Sequence, residues 1–252
     1  MERLKDKVCI ITGVSESMGI GFGTAKVFAE ENATVVCVAR RPIVKDRVKE
    51  LKDAGYKATM FEADLSKTNE VRDMVNYVFT KFGKIDVLVN NAGGGEGVKG
   101  NLIDVEEDDW DKVIDANLRT CMLCTKAVLP YMIKQRSGKI VNISSVTGPI
   151  VTLPGRTAYS AAKGAVSGFT RALALDVADY GITVNAICPG YIETRTQRDK
   201  EKMALSIPMK RWGKSEEIGY LALFLSTDES NYITGQDIVI DGGNVIQEMK
   251  II

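Results

Sequence analysis

Short apolar runs rich in β-branched residues recur along this chain, separated by longer stretches in which apolar positions return every three or four residues. The short runs predict strands at Val8–Thr12, Thr34–Val38, Lys57–Glu62, Ile85–Asn90, Lys139–Ser144, Thr183–Cys188 and Asp237–Ile240. The longer stretches predict helices at Gly21–Glu31, Asn69–Phe82, Asp108–Gln135, Tyr159–Tyr180 and Ser215–Leu225. Several strands are apolar throughout instead of alternating, which is the pattern of strands covered on both faces. A β-α-β-α rhythm of this kind predicts an α/β fold, a doubly wound parallel sheet with helices on both faces and right-handed crossovers. No repeat, low-complexity tract or Pro/Gly linker divides residues 1–252, so one domain is expected. In such sheets ligands bind beyond the carboxyl ends of the strands, near the point where strand order reverses. The chemistry should therefore sit just after the strands.

Composition narrows the chemistry. Of 252 residues, 45% are hydrophobic and 26% charged, close to the globular average. Lys plus Arg total 33 and Asp plus Glu total 33, so the balance predicts neither a nucleic-acid nor a membrane partner. No apolar run is long enough to span a bilayer, and the charged start Met1-Glu-Arg-Leu-Lys-Asp-Lys7 does not read as a signal peptide. A cytoplasmic location is expected. The cysteines are Cys9, Cys37, Cys121, Cys124 and Cys188, an odd number lying mostly inside apolar runs, as reduced cytosolic thiols do. Cys121 and Cys124 form a C-x-x-C within the periodic stretch from Trp110 to Gln135, where packing is the expected role and redox chemistry the alternative. The chain has no histidine, which removes Ser-His-Asp and Cys-His catalysis and the commonest zinc ligand. No metal site is expected.

The first predicted strand runs into Thr12-Gly-Val-Ser-Glu-Ser-Met-Gly-Ile-Gly21, and a helical pattern follows at once. Glycine permits a tight turn and a close backbone approach to a pyrophosphate, while the following helix offers unpaired N–H groups and a positive dipole end. In that position the loop points to a dinucleotide. The second strand ends at Val38-Ala-Arg-Arg41, with Ala39 where an acidic residue would hold a ribose 2′-OH. A guanidinium there suits a 2′-phosphate by charge and bidentate hydrogen bonding. The reading is NADP(H), with NAD(H) as the alternative and Glu16 as a carboxylate that argues against the phosphate.

Tyr159 and Lys163 stand four residues apart in a predicted helix, on one face and within mutual reach. A free tyrosine titrates near pH 10, too high for an efficient base near neutrality, and a nearby ammonium favours the phenolate. The pair can thus donate and accept a proton without histidine. Along the chain the order is Thr12–Gly21, Asn90-Asn-Ala-Gly93, Asn117, Ser144-Ser145, Tyr159 with Lys163, and Pro189-Gly190. In these motifs, their order and their approximate spacing, the chain resembles the short-chain dehydrogenase/reductase family over essentially its whole length.

The resemblance implies a Rossmann-like, NAD(P)-dependent oxidoreductase acting on an alcohol and its carbonyl. It implies that Tyr159 passes a proton to or from the substrate oxygen and that Lys163 holds the nicotinamide ribose and lowers the tyrosine pKa. It implies that Ser145 hydrogen-bonds the substrate oxygen, Ser144 being the alternative, and that Asn117 anchors a water linked to Lys163. For the cofactor it implies contacts from Gly13, Ser15, Gly19, Ile20, Gly21, Arg40 and Arg41. Further contacts are implied for Asp64 and Leu65 near the adenine, and for Asn91, Ala92 and Gly93 along the cleft, with Asn90 bracing the sheet. Pro189, Gly190, Ile192 and Thr194 would close over the nicotinamide and pyrophosphate. One departure stands out. Five residues separate Gly13 from Gly19 where the family pattern has three, so the loop either bulges outward or reshapes the phosphate site.

Residues 192–214 fall where the family carries a substrate lid, charged at Glu193, Arg195, Arg198, Asp199 and Lys200 and apolar at Met203, Leu205, Ile207, Met209 and Trp212. An apolar lid face suggests a partly apolar carbonyl compound, by family analogy a ring ketone such as a steroid or bile acid, or a 3-oxoacyl chain. The small residues Ala161, Ala162, Gly164, Ala165 and Gly168 permit close helix packing, and the resemblance implies a homotetramer. The rival readings are a catalytically silent nucleotide-binding regulator of the same fold and a thiol-redox protein using Cys121 and Cys124.

Overall fold

A computed structural model describes residues 2–94, 98, 100–194 and 200–248. Seven strands, β1 (Val8–Thr12), β2 (Thr34–Ala39), β3 (Ala58–Glu62), β4 (Val87–Asn90), β5 (Gly138–Ile143), β6 (Ile182–Pro189) and β7 (Asp237–Ile240), form one sheet. All pairs are parallel, in the order β3-β2-β1-β4-β5-β6-β7. The helices are α1 (Ile20–Glu30), α2 (Val44–Asp53), α3 (Thr68–Phe82), α4 (Glu107–Ile114), α5 (Thr120–Gln135), α6 (Thr157–Val177), α7 (Lys200–Leu205) and α8 (Ser215–Leu225).

The continuous apolar runs of the strands have a direct cause. Successive side chains point to opposite faces, and each face is covered. Cys9, Ile11, Val35, Cys37, Val87 and Val141 join one buried cluster with Phe28 of α1 and Ile218 and Leu223 of α8. Val8, Ile10, Val36, Leu88 and Ile140 join the other with Met74 of α3, Met132 of α5 and Leu173 of α6. No helix among the described residues is long and apolar enough to cross a membrane.

The expected elements are present, with one correction of substance. The helix predicted as Asp108–Gln135 is not uniformly α. Residues Asp115–Arg119 form a π-helical turn between α4 and α5. Such a turn inserts one residue into the 3.6 repeat and rotates the side chains that follow it. Periodicity averaged over the long stretch hides that shift. Two further helices, α2 and α7, are short and mostly polar, and the apolar pattern does not predict them.

Candidate active site

Strand order reverses between β1 and β4, and the loops after these two strands are tied together there. The Thr12 hydroxyl donates to the Val89 carbonyl (3.2 Å) and accepts from the N–H groups of Asn91 and Ala92 (both 2.9 Å). The Asn91 amide donates back to the Thr12 carbonyl at 2.9 Å. This knot leaves no room for side chains at its centre. Gly13 has φ +74°, and a Cβ on it would meet Asn91 Nδ2 at 2.7 Å and Ala92 Cα at 2.9 Å. A Cβ on Gly21 would lie 2.6 Å from both Asn91 Nδ2 and the Gly13 carbonyl oxygen. The glycines are where they are because two loops touch.

The extra loop residues bulge outward. Glu16, Ser17 and Met18 are exposed, the Gly19 N–H closes a turn onto the Glu16 carbonyl (3.0 Å), and Gly19 begins α1. The Ser215 hydroxyl at the start of α8 donates to the Met18 carbonyl and pins the bulge. The first turn of α1 carries no acidic side chain to compete for an anion.

Two cavities open beyond the carboxyl ends of the strands. The first, about 600 Å³, is lined by Gly13, Ser15, Arg40, Arg41, Asp64, Leu65 and Ala92. Arg41 is engaged, pairing with Glu16 and donating to the Ser15 hydroxyl at 3.4 Å. Arg40 is exposed and its side chain makes no hydrogen bond or ion pair among the described residues. Asp64 accepts from the hydroxyl (2.7 Å) and N–H (3.1 Å) of Ser66. Those bonds, helped by the charges of Arg40 and Lys67, hold its carboxyl below its ordinary range. Its place at the cavity wall and its role in shaping the turn before α3 are therefore both real.

The second cavity, about 590 Å³, is lined by Ile20, Asn91, Asn117, Ser145, Tyr159, Lys163, Pro189, Gly190, Ile192 and Thr194. Gly93 and Gly94 line both cavities, making them one cleft. Of the residues expected at the site, only Gly19 and Gly21 line neither; they shape the loop from behind. Lys163 is buried, its ammonium donates to the Ile143 carbonyl at 2.9 Å and lies 5.8 Å from the centre of the Tyr159 ring. Burial disfavours its charged form and brings its pKa down from 10.5 to about 8.

The π turn explains how a helical asparagine serves this cleft. Asn117 Nδ2 donates to the carbonyls of Val113 (2.9 Å) and Gly94, and Oδ1 accepts the Gly94 N–H at 3.3 Å. Asn117 thus ties α4 to the loop after β4. Of the paired serines, Ser144 turns its hydroxyl to the Lys163 carbonyl (3.0 Å) and packs on α6. Ser145 accepts the Thr147 N–H at 3.0 Å, and both serines reach the cavity wall. Asn90 braces the sheet by donating to Asn142 and Thr125, each at 2.9 Å.

The C-x-x-C lacks the setting of a reactive thiol pair. All five cysteines are free and buried. Burial pushes the Cys121 thiol up to about 12 and Cys124 higher still, so neither supplies thiolate near neutrality. No group of His, Cys, Asp and Glu suited to a metal ion occurs among the described residues.

Sequence reasoning missed several wall residues. Ser66, Lys112, Asp115 and Thr120 line the first cavity, brought there by the π turn and the loop after β3. Tyr191 and Arg156 line the second. Arg156 was detectable, since it stands three residues before Tyr159 and so lies on the same side of the helix start. From the expected lid, Met203 and Trp212 reach the cavity wall, whereas Arg195, Arg198 and Asp199 lie outside the described residues.

Comparison with known proteins agrees with this geometry. A family model described as Enoyl-(Acyl carrier protein) reductase matches residues 13–244. The chain is 45% identical over 250 residues to the 3-oxoacyl-[acyl-carrier-protein] reductase FabG of Thermotoga maritima, covering 97% of this chain and 100% of that one. It is 41% identical over 261 residues to the oxidoreductase UcpA of Salmonella typhimurium, covering 98% of each. A crystal structure of a short-chain type dehydrogenase/reductase from Mycobacterium marinum superposes with a TM-score of 0.90 at 32% identity, covering 97% of each chain. The chain belongs to the short-chain dehydrogenase/reductase family and is an NAD(P)-dependent oxidoreductase with a Rossmann-like fold.

Proposed function

We propose that this protein is an NADP(H)-dependent oxidoreductase that interconverts a secondary alcohol and a ketone, with Tyr159 as general acid and base. The observation that carries the reading is one cleft holding Tyr159, the buried Lys163 amine and Ser145 at one end and the unengaged Arg40 at the other. The cradle fits a dinucleotide. Gly13 lines the cavity wall with Gly21 packed behind it, both without side chains because the two loops touch, and the start of α1 supplies unpaired N–H groups for a pyrophosphate. A nicotinamide held there would supply or take the hydride.

The remaining work falls to the chain. Tyr159 gives a proton to the carbonyl oxygen during reduction and removes it from the alcohol during oxidation. Lys163, charged below its pKa of about 8, favours the phenolate and holds the nicotinamide ribose. Ser145 donates a hydrogen bond to the substrate oxygen. Asn117, fixed by the π turn, positions the loop at Gly94 and a water toward Lys163. Arg40 takes the 2′-phosphate, Arg41 being held by Glu16. Pro189, Gly190, Ile192 and Thr194 would close over the nicotinamide, and Met203 and Trp212 of the expected lid would face the substrate.

The Thermotoga maritima relative, by its name, supports a 3-oxoacyl compound over a ring ketone. A homotetramer built through α6 would bury Leu175, which is 81% exposed on the protomer. The five buried, unpaired cysteines support a cytoplasmic location.

The test is to incubate the protein with NADPH or NADH and a panel of ketones while following absorbance of the reduced cofactor. Tyr159→Phe should bind NADPH normally and lose about 10²–10⁴-fold in kcat. A Phe variant that turns over at the native rate refutes the proton-transfer role.

A further inference from the structure

Beyond Tyr159 the reaction cavity continues into a third space of about 400 Å³, lined on one side by Val146, Val151, Leu153 and Tyr191. Arg156 lines both the reaction cavity and this extension, and belongs to neither the glycine loop nor the cavity around Arg40. It is half-buried, and its guanidinium has no hydrogen bond or ion pair among the described residues. Among the described residues no Asp or Glu lines either space, and the only other charged wall residue is Lys163. A structural role does not account for the placement. Arg156 directly precedes α6, where a helix dipole disfavours a cation, and it caps nothing with its side chain. Surface arginines ordinarily sit in water or against a carboxylate; this one faces a partly enclosed cleft with no partner for its five donors among the described residues.

We propose that Arg156 is a substrate-anion anchor, so that the ketone reduced here carries a carboxylate or phosphate group on the side of the carbonyl away from the nicotinamide. This deepens the assignment of the cleft and rests on Tyr159 marking the reaction centre. The guanidinium takes the anion in bidentate fashion, and the apolar wall of Val151 and Leu153 receives a short hydrocarbon segment. Position along the substrate follows. The charge lies within reach of the helix start three residues before Tyr159, so the oxo group and the anion are separated by few bonds.

The test compares matched pairs that differ only in charge, with saturating NADPH: 3-oxohexanoate against its methyl ester, and dihydroxyacetone phosphate against dihydroxyacetone. The charged member of one pair should show a kcat/KM at least about tenfold higher, chiefly through KM. That ratio should collapse toward one in Arg156→Gln and be partly restored in Arg156→Lys. Preference in the first pair identifies a carboxylate, and preference in the second a phosphate. Equal use of both members in both pairs, or a ratio untouched by Arg156→Gln, overturns the proposal. Calorimetric binding of hexanoate against hexanamide, and of inorganic phosphate, to the NADP-bound protein gives a readout independent of turnover. Selective anion binding lost in Arg156→Gln, without reduction of any ketone, upholds the anion site and overturns the catalytic reading; reduction of the neutral ketones alone does the reverse.

Discussion

Lys163 offers a quantitative handle, because its burial has a cost that pH can switch off. Its amine has a pKa of about 8 in the folded protein against 10.5 ordinarily, and burial is the cause. Since the folded pKa is depressed, the unfolded chain binds more protons between pH 8 and 10.5, and stability must rise with pH across that window. Below pH 8 the full penalty applies, about 3 kcal/mol, since each pH unit separating the folded and unfolded values is worth about 1.4 kcal/mol. The hydrogen bond from Lys163 to the Ile143 carbonyl survives in the neutral amine, so it does not enter the pH-dependent part. Lys163→Met removes the titration and leaves every other group in place. Urea unfolding of the native and variant proteins, without added nucleotide, should therefore show the native protein gaining about 2–3 kcal/mol relative to the variant between about pH 7 and pH 10. Making both measurements in a Tyr159→Phe background and subtracting the two curves cancels the groups that Lys163 does not itself perturb. A difference that stays flat over this range would mean that Lys163 keeps an ordinary pKa, and the claim that burial tunes the amine beside Tyr159 would fall.

Other outcomes follow from the nucleotide end of the cleft. Arg40→Asp should weaken NADPH by about 10- to 100-fold while leaving NADH nearly unaffected, since only one of the two presents a phosphate; equal losses measured by fluorescence titration would remove the phosphate assignment. Glu16→Gln releases Arg41 from an exposed pair and removes a carboxylate near the phosphate, so NADPH affinity should rise, by about fivefold at most. Weaker binding in that variant would show the pair to be a required clamp. Gly21→Ala forces a methyl group against Asn91 and Gly13 and should destabilise the fold by about 1–3 kcal/mol, with NADPH binding impaired as well. An unchanged urea midpoint would contradict the contact between the two loops. Alkylating agents at neutral pH should leave activity intact, because the five thiols are buried; loss of activity would revive the redox reading of Cys121 and Cys124.

The sequence by itself determined the strands, most helices and the fold class. A strand buried on both faces is apolar along its length, so Val8–Thr12 and Thr34–Val38 were visible as nearly unbroken runs. The glycine loop follows a strand and Tyr159 shares a helical face with Lys163, while the family resemblance is what singles out Pro189-Gly190, Asn117 and Ser145. Tertiary structure decided the rest, because it depends on contacts between distant residues that no local period encodes. The reversal between β1 and β4 is what sets Asn91 against Gly13 and turns two loops into one cradle. The π turn at Asp115–Arg119 aims Asn117 at Gly94, a one-residue shift that an averaged helical period cannot register. Whether the long glycine loop bulged or intruded rested on Ser215, nearly two hundred residues away, and on Arg41 engaging Glu16. Arg156 reads in sequence as one more charge at the start of a helix; only the folded chain shows that no described carboxylate faces it.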